Sequence, residues 1–177
     1  MEGHSLSYDP QRHHRHSIRL PGYNYADAGV IFVTVCTHQR ENLFGVISEG
    51  AMVTNDVGDV VCATWLDLPG RFPGLILDAF VIMPNHMHGI LIFPDLIFPE
   101  MPTNPTPSAI LGPVLRAFKS ISAVASNRLR ELTGTPLWQR NYYEHIVRNE
   151  TVLDKARHYI DDNPRNWDRD ADNPALL

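Results

Sequence analysis

Two apolar segments joined by a two-residue turn constrain the fold of this chain more than any other feature. Residues 75–83 and 86–93 are rich in β-branched and other apolar side chains, and Pro84 and Asn85 between them are typical turn residues. Two strands that are joined so tightly run antiparallel. The sequence therefore predicts an antiparallel hairpin near the middle of the chain.

The second strand of this hairpin begins with two histidines, His86 and His88, that are two residues apart. Successive side chains of a strand point to opposite faces, so both imidazoles share a face with Ile90 and Ile92. Two imidazoles on a rigid strand can hold a divalent cation if a third ligand comes from elsewhere. A bare His-x-His pair is as often merely packed or solvated, so this spacing alone leaves both interpretations open.

Composition favours a single soluble domain. The chain has 177 residues, of which 44% are hydrophobic and 20% are charged. We find no apolar run near the ~20 residues of a membrane span and no apolar core of a signal peptide. The two cysteines, Cys36 and Cys62, are too few for a disulfide framework and are typical of core residues. These features predict a cytoplasmic protein with no membrane partner.

Charge is unevenly distributed along the chain. The net formal charge of −5 argues mildly against a general nucleic-acid binder. Residues 112–148 nonetheless contain six basic side chains against two acidic ones, whereas the last seventeen residues contain five Asp against two Arg. A solvated helix face is the common explanation of such a basic run, and contact with a polyanion is the alternative. The six basic residues are Arg116, Lys119, Arg128, Arg130, Arg140 and Arg148.

The remaining segments complete an α+β pattern, in which helices cover a largely antiparallel sheet. Gly112-Pro113 is expected to open the longest helix, with Pro at its first position. We predict an N-terminal arm at 1–29, one domain at 30–165, which includes a proline-rich loop, and an acidic C-terminal tail at 166–177. Besides the central hairpin, the predicted elements are strands at 30–37 and within 137–148, a short hairpin at 43–54, and helices at 57–68, 112–132 and 150–162.

Several motifs in a fixed order give the chain a family resemblance. They lie at residues 19–23, 32–37, 83–89, 118–120, 138–145 and 159–164. With these motifs the chain resembles the REP-associated tyrosine transposases, which are single-tyrosine members of the HUH endonuclease superfamily. The resemblance implies a ferredoxin-like sheet, a homodimer, and cleavage of single-stranded DNA that is folded into hairpins.

The same resemblance implies the residues of an active site. His86 and His88 match the metal pair, Asn163 matches the third ligand of Mg²⁺ or Mn²⁺, and Tyr159 matches the nucleophile. Residues four apart on a helix share a face, so Tyr159 and Asn163 can point together at a metal held by the strand. The implied reaction leaves DNA attached as a 5′-phosphotyrosine and releases a free 3′-hydroxyl. DNA contacts are expected at the six basic residues and at Trp138.

Alternatives remain for these residues and for the function. Tyr159 could be a core aromatic within an apolar stripe, Tyr142 and Tyr143 are rival nucleophiles, and Trp138 could pack in the core rather than stack on a base. The protein could also be a non-catalytic module that binds DNA or RNA hairpins. A His-x-His phosphoesterase that hydrolyses small nucleotides through water is a further candidate, although we find neither a second His-containing motif nor more carboxylates converging on the site.

Overall fold

A four-stranded antiparallel sheet forms the centre of the fold, and a two-stranded hairpin lies beside it. The computed structural model describes residues 29–94 and 107–176. The predicted N-terminal arm, the motif at 19–23 and most of the proline-rich loop lie outside the described residues. The described strands and α-helices are β1 Gly29–Cys36, β2 Gly45–Ser48, β3 Ala51–Thr54, α1 Asp56–Leu66, α2 Leu68–Arg71, β4 Ile76–Ile82, β5 His86–Phe93, α3 Pro107–Leu129, β6 Tyr143–Ile146 and α4 Glu150–Asp162.

The order of the strands identifies the fold class. The large sheet has the order β4-β5-β1-β6, and each neighbouring pair is antiparallel. Along the chain its elements follow the pattern strand, helix, strand, strand, helix, strand, which is the ferredoxin-like arrangement. The predicted α+β class is therefore confirmed. The predicted central hairpin is also present, as β4 and β5, and it places the His-x-His strand inside the sheet.

The two faces of β5 belong to different layers of the protein. Met87, Leu91 and Phe93 pack into the core beneath α1 and α3, whereas Ile90 and Ile92 pack with residues of α4. Because side chains alternate along a strand, the two histidines share the α4 face. The site therefore lies between the sheet and the C-terminal helix.

One buried ion pair fixes α4 on the sheet. The Arg157 guanidinium on α4 donates two hydrogen bonds to the Asp78 carboxylate on β4, at 2.8 and 2.7 Å. Both side chains are more than nine-tenths buried. A bidentate contact of this kind sets both the position and the rotation of the helix. It therefore also sets where the later residues of α4 point.

Replacing Arg157 with methionine should lower the free energy of unfolding by about 3–5 kcal/mol, because the Asp78 carboxylate would stay buried without its partner. Urea unfolding of the two proteins would measure this difference. Arg71→Met is the matched control, because Arg71 forms an exposed ion pair with Asp67 and should contribute less than about 1 kcal/mol. Equal losses in both variants would contradict an anchoring role for Arg157.

The start of the long helix differs from the prediction. Helix α3 begins at Pro107, so Pro113 lies inside the helix rather than at its first position. An internal proline removes one backbone hydrogen bond and costs about 3 kcal/mol. The added turns bury Ile110 and Leu111 in the core, which offsets this cost. In the part of the chain that the structure describes, no helix is both long and apolar enough to cross a membrane.

Candidate metal and nucleophile site

The two histidines of β5 face each other within the protein. The Nε2 atoms of His86 and His88 lie 3.0 Å apart, and both side chains are almost completely buried. Trp167 lies near the ring of His86, and Phe32 stacks on the ring of His88. The imidazoles are thus held rigidly, with one nitrogen of each directed at a common point.

Asn85 determines the tautomer of His86. Its amide nitrogen donates to the carbonyl oxygens of Arg40 and Asp172, at 3.1 and 2.7 Å, and this fixes the orientation of the amide. The amide oxygen of Asn85 lies 2.8 Å from Nδ1 of His86 and can only accept. Nδ1 of His86 therefore carries the proton, and Nε2 presents a lone pair to the site. A hydrogen bond at the outer nitrogen is the usual way in which proteins orient a metal-binding histidine.

Thr34 on β1 supports His88 in either tautomer. Its hydroxyl oxygen lies 2.8 Å from Nδ1 of His88, and a hydroxyl can both donate and accept. With Nε2 of His86 unprotonated, Nε2–H of His88 donates to it, and Thr34 donates to Nδ1. In the reverse tautomer, Thr34 accepts from Nδ1–H, and both Nε2 atoms offer lone pairs. The pair can therefore change from a mutual hydrogen bond to two metal ligands without movement of the backbone.

Burial keeps both imidazoles neutral. It lowers the pKa of His86, and the nearby negative charges of Asp170 and Asp172 oppose this shift. Burial lowers the pKa of His88 well below its usual value, and repulsion from the protonated form of His86 adds to the effect. Neutral imidazoles are the form that binds metals.

These shifts predict acid sensitivity of the metal-free protein. Unfolded histidines take up protons near pH 6.5, whereas the buried pair does so only at lower pH. The unfolded state then binds more protons, so the free energy of unfolding should fall as pH drops below about 6.5, by up to about 1.4 kcal/mol per pH unit for each histidine. Urea unfolding in EDTA at pH 7.5, 6.5 and 5.5 would measure this slope. His88→Gln should flatten it.

Helix α4 brings the two residues of the Tyr-Ile-x-x-Asn-Pro motif to the histidines. The hydroxyl of Tyr159 lies 3.3 Å from Nε2 of His88, and Tyr159 as a residue is 49% exposed. Asn163, one turn later, is buried, and its amide nitrogen donates to the Asp170 carboxylate at 3.0 Å. The amide oxygen of Asn163 accepts no hydrogen bond from any described residue. The structure therefore places all four residues of the predicted site together, with one buried acceptor oxygen left unpaired.

The structure adds a carboxylate that the sequence analysis did not single out. One nitrogen each of His86 and His88 and one carboxylate oxygen of Asp170 all lie within 4.8 Å of one another. Asp170 follows a short 3₁₀ helix, Pro164–Arg169, in the segment predicted as an acidic tail. Asp172 anchors this segment through an ion pair with Arg40 at 2.5 Å. Three Asp residues at alternate positions, Asp168, Asp170 and Asp172, follow the Asn-Pro pair and were the available signal. Which of them reaches the histidines depends on how the chain folds back.

These donors fit a divalent cation. Two imidazole nitrogens, a carboxylate and an amide oxygen form a mixed nitrogen and oxygen set, which suits first-row divalent metals such as Mn²⁺. An acceptor that is buried without a partner costs about 1–3 kcal/mol, and a cation at this point would supply the partner that the Asn163 oxygen lacks. The cluster can therefore hold a metal ion.

The surroundings of Tyr159 keep its phenol protonated. Its pKa is raised, first by burial and then by the negative charges of Asp170 and Asp172, while the nearby side-chain amide of Asn163 acts in the opposite direction. A phenol with a raised pKa is a weak nucleophile at neutral pH. A cation among these carboxylates would reverse the sign of the local charge and favour the phenolate.

An open cleft extends from the site along the sheet. Its volume is about 760 Å³, and it lies between α4 and β6 with His88 and Tyr159 on its wall. The rival tyrosines, Tyr142 and Tyr143, line the same cleft. Among the residues that the structure describes, neither of these tyrosines forms a side-chain hydrogen bond with the histidine pair. The hydroxyl of Tyr159 does contact His88 directly.

The predicted DNA-contact residues of the long helix lie away from the site. Helix α3 packs on the sheet face opposite to the histidines. Arg116 and Arg128 are exposed on this helix, Arg130 follows its end, and Arg140 and Arg148 are exposed on either side of β6. Lys119 is not free for phosphate, because its ammonium donates to the backbone oxygens of residues 139 and 140 at 2.5 and 2.9 Å.

Trp138 lies in the core. Its ring packs near Phe44 and Phe118, and its indole nitrogen donates to the Ser122 hydroxyl at 2.9 Å. Only 7% of Trp138 is exposed. The packing role that was the alternative for this residue is the one that the structure favours over stacking on a base.

The fold is similar to that of a solved transposase. A structure described as the REP-associated tyrosine transposase bound to a REP hairpin has a TM-score of 0.51 and 21% identity, with 77% of this chain and 66% of that chain covered. The present chain thus spans slightly less than two thirds of that transposase. A structure of a candidate transposase from Deinococcus radiodurans has a TM-score of 0.47 and 20% identity, with coverage of 79% and 92%. The first similarity defines this chain as a protein with a transposase-like α+β fold.

A curated relative shows the family. An uncharacterised protein of Haemophilus influenzae (strain Rd) is 38% identical to this chain over 177 residues, with 94% of this chain and 97% of the relative covered. The chain belongs to the family of that protein. No family model matches the chain.

Proposed function

We propose that this protein is a metal-dependent, HUH-type transposase that nicks and rejoins single-stranded DNA at hairpin-bearing sites through Tyr159. The observation that carries this proposal is the phenolic hydroxyl of Tyr159, which lies 3.3 Å from one of two facing imidazole nitrogens. Asp170 and the unpaired oxygen of Asn163 complete the same cluster. We further propose Mg²⁺ or Mn²⁺ as the ion, a homodimer as the assembly and the cytoplasm as the location.

Each residue has a distinct role in the proposed reaction. His86, His88, Asp170 and Asn163 would hold the ion, while Asn85 and Thr34 orient the two imidazoles. The bound ion would polarise the phosphodiester and offset the negative charge that Asp170 and Asp172 place beside the phenol. Tyr159 lies on a helix that Arg157 holds on the sheet, and about half of the residue is exposed, so we expect DNA to reach it.

The bonds of the proposed step balance without an external energy source. The Tyr159 oxygen forms a bond to phosphorus as the bond from phosphorus to the 3′ oxygen breaks. The phenol loses its proton and the leaving 3′ oxygen gains one, which gives a 5′-phosphotyrosine and a free 3′-hydroxyl. Because the ester energy is kept, attack by a 3′-hydroxyl reverses the step, joins the strands and restores the phenol.

The fold supports a DNA substrate. The solved structure that it resembles is, by its description, bound to a REP hairpin, and we propose hairpin-bearing single strands for this chain on that basis. The cluster opens into the cleft on the α4 side of the sheet. A single strand that enters this cleft would lie beside Tyr159, which lines it.

A denaturing gel with end-labelled, hairpin-bearing single-stranded oligonucleotides in Mn²⁺ tests the proposal. A 3′-end label should move to a protein-sized band, because that strand carries the phosphotyrosine, whereas a 5′-end label should appear on a shortened free strand. EDTA should abolish both products. Cleavage without a labelled protein would indicate hydrolysis by water, and salt-sensitive binding without cleavage would indicate a hairpin-binding module.

A further inference from the structure

Tyr159 stands between two clefts of opposite charge. The larger cleft, of about 760 Å³, is lined by Lys155 and by the ion pair of Arg40 with Asp172, whose charges offset each other. The smaller cleft, of about 470 Å³, is lined by one arginine and three carboxylates. A phosphate chain is favoured beside cations and repelled by carboxylates. A DNA strand that reaches Tyr159 should therefore lie in the larger cleft.

The floor of the larger cleft is a continuation of the histidine face of the sheet. In the strand register, Thr34 of β1 pairs with His88 on one side and with Tyr143 of β6 on the other. Phe32 pairs with His145 in the same way. Paired residues on neighbouring strands lie on the same face of a sheet, so this floor runs from the histidine pair to the edge strand β6.

The floor carries an exposed aromatic ring. Tyr143 lines the cleft, and the residue is 59% exposed, although it lies in a strand of the central sheet. An aromatic ring on an open, positively charged surface is the usual platform on which proteins stack an unpaired base. The volume of the cleft lies within the range of about 300–1,000 Å³ that is typical of small-molecule sites.

One wall of the cleft is a polar segment that a lysine on the opposite face of the sheet holds in place. Gln139 and Asn141 line the cleft. The Lys119 ammonium of α3 holds their segment through the backbone oxygens of residues 139, 140 and 141. The backbone N–H of Gln139 in turn donates a hydrogen bond to the backbone oxygen of Cys36 at the end of β1. This double attachment makes the wall a preformed surface for hydrogen bonds to a ligand.

We propose, on the basis of the function above, that this cleft binds the unpaired nucleotide next to the scissile phosphate. Its base stacks on Tyr143, and its phosphate lies beside Lys155. The protein would then select DNA in which this nucleotide is single-stranded, because a paired base would first have to be unpaired and unstacked, which costs free energy.

Binding of fluorescent oligonucleotides to proteins that carry Tyr159→Phe tests the proposal, because this substitution removes the proposed cleavage step. Tyr143→Ala should weaken binding about 5- to 150-fold, while Tyr143→Phe keeps the ring and should bind as the parent does. An abasic sugar at one position should weaken binding to the parent but not to Tyr143→Ala. Lys155→Ala should reduce the dependence of affinity on salt, and Arg71→Ala, at an exposed ion pair outside the cleft, should not.

Two outcomes would overturn the proposal. One is equal binding by the parent and Tyr143→Ala, and the other is an abasic penalty that is the same in both. The proposed function fails separately, through the absence of a covalent product from the wild-type protein. Binding is measured without cleavage, so the two failures can be told apart.

Discussion

Tyr159→Phe should lower the rate of covalent product formation to below about one thousandth of the wild-type rate, because loss of a nucleophile leaves only background reaction. The substitution removes one oxygen atom and keeps the ring, including its edge contact with Phe32. About half of the residue is exposed, so the fold and DNA affinity should be preserved. A 3′-end label in the denaturing gel measures the rate, and fluorescence anisotropy measures the affinity.

Tyr142→Phe and Tyr143→Phe are the matched controls, since they remove the same atom from the two tyrosines of the neighbouring cleft. Both should keep a protein-sized labelled band. If the band survives in Tyr159→Phe and disappears in one of these controls, that tyrosine is the nucleophile. Disappearance in all three would indicate damage to the cleft rather than to a single nucleophile.

The parts of the site that could be predicted from sequence are those fixed by local periodicity. Alternation along β5 places both histidines on one face, and the four-residue spacing of Tyr159 and Asn163 places both on one side of α4. That this face of β5 packs against this side of α4 depends on tertiary packing. The resemblance to a known family, rather than any periodicity, led to the expectation that the two faces meet.

Other features could not be predicted, because they depend on long-range contacts. Asp170 belongs to a polar segment with no periodicity, and its position follows from the contacts of Asp172 with Arg40 and Asn85. Lys119 lies off the apolar stripe of its helix, as expected of a free cation, but it binds a backbone segment twenty residues later. A surface lysine and a lysine that holds a loop look the same in sequence.

Contacts outside the cluster explain how the unpaired oxygen of Asn163 can persist in the folded protein. Arg157 fixes α4 from beneath, the folded-back acidic segment holds Asn85, and Asn85 orients His86. Each support lies outside the cluster itself. A rigid outer layer of this kind allows an unpaired buried oxygen to persist where a ligand can use it.

Asp170→Asn should weaken Mn²⁺ binding by about 100-fold or more, because loss of an outer partner of a metal ligand alone costs about 10- to 100-fold. His88→Gln should have an effect at least as large. Asn163→Asp should instead strengthen binding, since it adds a negative charge at the unpaired oxygen and replaces the hydrogen bond to Asp170 with a like-charge contact that a cation would relieve. Isothermal titration calorimetry with Mn²⁺ would measure these affinities. The rise in melting temperature at a fixed Mn²⁺ concentration gives an independent readout.

Asp168→Asn and His158→Gln are the matched controls for these variants. Asp168 is exposed in the same C-terminal segment, two residues before Asp170, and His158 is exposed on α4 next to Tyr159. Both should bind Mn²⁺ as the wild-type protein does, because neither side chain belongs to the cluster. If Asp170→Asn binds normally while Asn163→Leu does not, Asn163 is the third ligand and Asp170 serves only to orient it through its hydrogen bond.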